Sequence, residues 1–170
     1  HVSVQRFYDK PIDAPADLID SLAAYDISAA APVAKGKVIL VTDDEEMDGV
    51  FVWGIDTASF SQVSDLPRHL RYDSQKQFHL TPEDGRKPGI VLGAYLANRM
   101  GVGLGDTVFL MTIGNQSLED IMMGGISPKI DAFEVTDIFE SGMYHFDDNF
   151  AFIAIEQARQ LLRIGADGAT

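Results

Sequence analysis

The residues that could do chemistry in this sequence fall into three groups. Six acids lie close together, namely Asp43, Asp44, Glu45, Glu46, Asp48 and Asp56. A calcium loop needs ligands at alternate positions, a central glycine and a distal glutamate, and this run lacks that spacing. It reads as a solvated hairpin tip. His145, Asp147 and Asp148 could supply metal ligands or an acid–base group, yet the other histidines, His1, His69 and His79, fall in other elements. No convergent ligand set follows, and a loop of turn-forming residues is the reading adopted. Gly101, Gly103 and Gly105 do not make the dinucleotide fingerprint, and they stand after a helix and before a strand, the reverse of the phosphate-cradling order. Turn geometry accounts for them.

The absence of cysteine excludes disulfides, zinc–thiolate sites and thiol nucleophiles. No G-x-S-x-G elbow occurs. No catalytic, cofactor-binding or metal-ligating residue is therefore assigned, and the chain is read as not an enzyme. A carboxylate-dependent hydrolase is the alternative from another class, because 26 acids are available. It would need two carboxyl groups converging in a concave pocket.

Composition narrows the partners. A formal net charge of -13 argues against nucleic acid and against docking on anionic headgroups, since both need a basic surface. Hydrophobic content of 46% with 23% charged residues suits one folded domain, or one domain with two lobes. No stretch approaches the ~20 apolar residues of a membrane span. The sequence lacks an initiator Met and begins in what reads as mid-strand, as expected of an excised fragment.

The elements that must position these residues can be read in order. His1 to Phe7 alternates like a strand, and Pro15 opens a helix to about Ala24 with Leu18, Ile19 and Leu22 on one face. Val38 to Val41 reads as a strand buried on both faces. The turn Asp43 to Gly49 leads into a second strand, Val50 to Ile55, with Trp53 half-buried. Asp56 to Lys87 predicts one short helix, patterned around Val63 to Leu70, and long connections.

From Gly89 the pattern sharpens. Ile90 to Leu92 is a short strand or a helix lead-in, with Leu92, Leu96 and Met100 spaced for one helix face. Gly101 ends that helix, Val102 can contact Leu96 or Ala97, and Gly105 and Asp106 turn into a strand Thr107 to Met111. Ala132 to Phe139 is a further strand, whose change of pattern at Asp137 predicts a bulge or bend. Phe150 to Ile153 is the last strand, and Ile155, Ala158 and Leu162 share a face of a closing helix. One core is expected to hold most of Leu92, Leu96, Met100, Val108, Leu110, Phe133, Val135, Phe152 and Ile153.

Four ordered blocks carry a resemblance: Gly89 to Leu110, FEVTDIFESGMYHFDD (Phe133 to Asp148), FIAIEQARQLL (Phe152 to Leu162) and VFVWGIDTASFSQVSDL (Val50 to Leu66). Together they resemble the extracytoplasmic domain of lipoprotein-releasing permeases of the LolC/LolE type, within the MacB/FtsX-like superfamily. Three departures stand beside the match. Asp137 replaces a usual glycine, Arg71 to Lys87 aligns with nothing familiar, and the strand-helix-strand unit that would complete the small lobe is missing.

The resemblance implies an α+β fold with a mixed, mostly antiparallel sheet and a few short helices, in the two-lobed MacB-like periplasmic core arrangement. Residues 1–34 would begin a small strand-helix-strand lobe, and residues 35–170 would form an inserted β-rich lobe. The fragment would lie between two membrane spans, as the periplasmic domain of an inner-membrane protein. Its implied role is non-catalytic, in an ABC-transporter permease that releases outer-membrane lipoproteins from the inner membrane to a carrier chaperone. Implied partners are a separate ATPase subunit, a second permease subunit, the carrier chaperone and the lipoprotein cargo. A MacB-like efflux permease and an FtsX-like signalling domain share the architecture.

The connection Asn115 to Lys129 is far longer than the ~2 to 5 residues of a hairpin, and its apolar middle suits contact with varied hydrophobic surfaces. In the LolC branch the corresponding connection captures the carrier. By that resemblance the candidate contact residues are Ile121, Met122, Met123, Ser127, Pro128 and Lys129. The same side chains could instead fold back over the sheet.

Overall fold

The computed structural model describes residues 4, 12, 15–25, 27–82, 86–112 and 129–164. Its centre is a closed barrel of six strands: β1 (Val33–Thr42), β2 (Met47–Ile55), β3 (Gly89–Gly93), β4 (Thr107–Thr112), β5 (Lys129–Phe139) and β6 (Phe150–Ala154). They neighbour one another in the order β1-β2-β6-β3-β5-β4, with β4 returning to β1. The β2–β6 and β3–β5 contacts are parallel and the other four antiparallel, so the sheet is mixed and mostly antiparallel.

The period of two along each strand builds two cores. In β6, Ala151 and Ile153 join the barrel interior while Phe152 and Ala154 join a cluster on the outer wall. In β3, Ile90 and Leu92 point in and Val91 points out. The interior collects all of the expected core except Phe152, which stands in the outer cluster. Leu92 reaches the interior from β3 rather than from the helix face expected for it. In β1, Val38 and Leu40 are buried but Ile39 and Val41 are partly exposed, so that strand alternates instead of being buried on both faces.

Helices close the barrel at both ends. The hairpin turn after Thr42, the end of β3 and the start of β6 lie at one end, where α3 (Ala94–Arg99) contributes Leu96 and Ala97 to the interior. Gly101, at φ 66°, stops α3, and Val102 N–H donates to the Ala97 carbonyl at 3.0 Å, as the sequence suggested. At the other end α5 (Ile155–Leu162) inserts Ile155, Ala158 and Leu161. Gly36 and Gly54 admit it, because a Cβ on either would overlap Leu162 or Ala158.

The bulge expected near Asp137 is present. Ile90 pairs with Val135 and Val91 with Asp137, leaving Thr136 as the extra residue. It exchanges the two faces of β5: Phe133 and Val135 point inward before it, Ile138 after it, and Phe139 joins the outer cluster. Without that exchange the Asp137 carboxylate would point into the apolar interior.

The outer cluster accounts for much of the segment Asp56 to Lys87, where the sequence predicts one short helix and long connections. Phe60, Leu66, Leu70, Phe78 and Leu80 pack on Val91, Phe139, Phe152 and Ile55 of the barrel wall. Its helix, α2 (Thr57–Val63), sits earlier than the patterning suggested. Ser64 is already extended at φ -137° and ψ 142°, and Leu66–His69, which contains Pro67, forms a 3-10 turn. Upstream, α1 (Pro15–Leu22) runs into a 3-10 turn at Ala23–Tyr25. The strand expected over His1 to Phe7 lies outside the described residues apart from Val4.

Candidate functional site

The acids singled out in the sequence do separate jobs. Asp43, Asp44, Glu45 and Glu46 occupy the exposed turn between β1 and β2, closed by the Thr42 N–H donating to the Glu46 carbonyl at 3.0 Å. Asp48 pairs with Arg99. Asp56 caps α2, accepting the Ser59 hydroxyl at 2.6 Å and its backbone N–H at 3.0 Å. Those two bonds hold the Asp56 carboxyl below its ordinary pKa.

His145, Asp147 and Asp148 likewise diverge, on α4 (Tyr144–Asn149). The His145 ring meets the Asn149 side chain at 3.1 Å. Asp147 is fully buried and accepts the Ser141 hydroxyl at 2.6 Å and the N–H groups of Ser141 and Gly142 at 2.9 and 3.1 Å. Its role is to fold the turn between β5 and α4. Asp148 accepts from Arg99 Nε at 3.1 Å. Among the described residues, no group of three or more His, Asp or Glu side chains is arranged to hold a metal ion. Gly101 and Gly105 both have positive φ, and the Gly103 N–H donates to Asp106 at 2.8 Å, so these glycines are turn residues.

Of the candidate contact residues, Lys129 is described and Ile121, Met122, Met123, Ser127 and Pro128 lie outside the described residues. Lys129 begins β5, pairs in register with Thr112 and reaches Asp131 at 3.2 Å. Thr112 and Lys129 therefore form the last described rung of an antiparallel ladder whose strands are joined by residues 113–128. Ile130, next on β5, is exposed. On the outer wall, α2 and residues 76–78 border an open groove of about 690 Å³, lined by Ser61, Gln62, Arg68, Lys76 and Phe78 among others. Lys76 donates to the Leu70 carbonyl at its side.

One surface the sequence reading missed is on α3 and α4. Tyr95 and Tyr144, both exposed, meet with ring centroids 4.9 Å apart and planes tilted by 58°. One turn further along each helix, Arg99 meets Asp148. The signal was present as paired i, i+4 spacings, Tyr95 with Arg99 and Tyr144 with Asp148, but only the fold places the two helices side by side.

The family model described as "MacB-like periplasmic core domain" matches residues 1–169. The chain belongs to the MacB-like periplasmic core domain family. A MacB-like core domain is a periplasmic part of an ABC-transporter permease, in agreement with the fold class and the periplasmic localisation expected above. Two relatives from Xylella fastidiosa, strains Temecula1 and 9a5c, are each described as "Lipoprotein-releasing system transmembrane protein LolC". Each is 28% identical over 147 residues, 85% of this chain and 32% of the relative. The chain thus spans about a third of the length of the curated relatives it matches. Among solved structures, the extracellular domain of the noncanonic ABC-type transporter YknZ from Gram-positive bacteria superposes with a TM-score of 0.54 at 14% identity. That match covers 94% of this chain and 70% of YknZ's. The periplasmic region of MacB from Actinobacillus actinomycetemcomitans gives 0.54 at 15% identity, covering 91% and 61%. Both are likenesses of fold.

Proposed function

We propose that this MacB-like core domain serves a lipoprotein-releasing permease of the LolC kind, as the part that passes outer-membrane lipoproteins to a soluble carrier chaperone. The observation that carries this reading is the likeness to LolC over 85% of the chain, where the solved MacB and YknZ domains share the fold at half that identity. The domain does no covalent chemistry. Its parent sits in the inner membrane with spans of ~20 apolar residues on either side of the fragment, a second permease subunit beside it and a separate ATPase below.

The carrier contact falls on the connection containing Ile121, Met122, Met123, Ser127, Pro128 and Lys129. Thr112 and Lys129 already pair as neighbours in a hairpin, so a short turn can join them without disturbing the barrel. Replacing residues 113–128 by a two-residue turn should leave the fold intact and abolish carrier binding in a direct assay. A folded variant that binds the carrier as before would refute the contact. A parent reading frame without flanking spans would refute the permease reading itself.

A further inference from the structure

The end of the barrel that carries α3 and α4 exposes apolar side chains beside charged ones: Tyr95 touches Tyr144, Met143 precedes Tyr144, and Met47 precedes the Asp48 that pairs with Arg99 of α3. Tyr144 is 63% exposed, Met143 61%, Met47 65% and Tyr95 44%, an arrangement of rings and thioethers that gains nothing from facing water. The two tyrosine rings lean on each other at an interplanar angle of 58°, so each limits the other's freedom before any partner arrives. Rigid aromatic side chains of this kind lose little entropy on binding.

The border is acidic. Arg99 is held between Asp48 and Asp148, and thereby ties the β1–β2 hairpin to α3 and α4. With its charge offset by two carboxylates, the exposed turn Asp43, Asp44, Glu45 and Glu46 sets the sign of the surface. Strand register puts this end opposite the one where β1 begins, where β6 gives way to α5, and where Thr112 and Lys129 lie. The patch is therefore separate from the carrier contact proposed above.

We propose that this end of the barrel docks a basic protein segment, one that presents lysine or arginine around a small apolar centre. The apolar centre would cover Tyr95, Tyr144, Met143 and Met47, and the cations would face the turn acids. Charge complementarity selects the occupant. A second copy of a chain with net charge -13 would bring like charge to the same border, and an anionic lipid surface would be repelled.

The test uses the 170-residue chain and a synthetic helical peptide of lysine and leucine, with a twin in which every lysine is glutamate, in a fluorescence anisotropy titration. The lysine peptide should bind and the glutamate twin should not. The Tyr95→Ser/Tyr144→Ser variant should bind the lysine peptide roughly tenfold more weakly, the loss expected of central aromatic contacts. Tyr144→Ser alone, at the more exposed ring, gives the readout if the double variant has a lowered melting temperature. Equal binding by wild type and variants would reduce the attraction to diffuse charge and overturn the proposal. Absence of binding, binding of the glutamate twin, or self-association abolished by Tyr144→Ser would overturn it too.

Discussion

Asp137 Oδ1 accepts the backbone N–H of Tyr72 at 3.1 Å, across the outer wall of the barrel. The same carboxylate takes the N–H groups of Arg71 at 3.1 Å, Asp73 at 2.8 Å and Ile138 at 2.7 Å. Asp137 is 2% exposed, and its bonds fasten the chain after Leu70 onto β5. Arg71 adds an exposed pair to Glu140 at 2.6 Å, which counts for little beside the buried bonds. Asp137→Ala would strip several backbone donors of their acceptor, at about 2 to 4 kcal/mol in urea unfolding at neutral pH. Asp137→Asn, which keeps one acceptor oxygen, should lose less. A loss below ~1 kcal/mol for the alanine variant would mean that water replaces the carboxylate at no cost.

The interior helix makes a second prediction. Leu96 has no exposed surface and stands on α3 with Ala97, and with Met100 just past the helix end, against the barrel. Leu96→Ala should cost ~2 to 5 kcal/mol, the usual range for a buried leucine whose site collapses only in part. Chemical denaturation checks it, and a cost below ~1 kcal/mol would show that α3 is not packed there.

These two residues also mark how far the sequence could be read. Leu96 was legible because its spacing matched a helix and Gly101 marked where that helix stops. Asp137 was legible as an irregularity, since the pattern of β5 changes at it, but its function was not. Its distant partners are three backbone N–H groups, which no side-chain type advertises, in a segment 64 to 66 residues earlier. The same limit hid the outer cluster. Phe60, Leu66, Phe78 and Leu80 follow no single period because they reach the wall from a helix, a 3-10 turn and extended chain in succession. Barrel closure was equally silent, since β4 meets β1 through residues some 66 to 72 apart, such as Thr42 with Val108 and Ile39 with Met111. At the candidate site, composition singled out the apolar middle of the long connection, whereas the Tyr95–Tyr144 contact depends on two helices meeting.

Gly93 tests the close packing at the α3 end. Its backbone, at φ -66° and ψ 148°, suits any residue, so conformational freedom is not what requires glycine there. A Cβ would overlap the carbonyl oxygen of Asp147 and come within 2.8 Å of its Cα. Gly93→Ala must push α4 away from β3 or strain the buried Asp147 turn, at about 1 to 3 kcal/mol or more. A melting temperature equal to that of the wild type would show that α4 shifts freely.

Asp56 gives the last prediction, one with a pH dependence. The Ser59 hydroxyl and N–H both donate to its carboxylate at the start of α2, and they lower its pKa from the ordinary 3.8. A carboxyl depressed in the folded state stabilises fully above the value it has in the unfolded chain, because there both states are ionised and only the folded one gains the bonds. As pH falls below 3.8 toward the depressed folded value, the unfolded chain takes up its proton first and the advantage disappears. Asp56→Ala should therefore cost about 1 kcal/mol at neutral pH, the usual worth of a cap, and no large Coulombic part is added at so exposed a group. Thermal melts of wild type and Asp56→Ala should differ most above pH 5 and draw together in acid. Asp56→Asn, which still caps, should narrow the neutral-pH gap to the charge-dependent part. A wild-type advantage over Asp56→Ala that stayed constant down to strong acid would show that the ionised carboxylate contributes nothing at this cap.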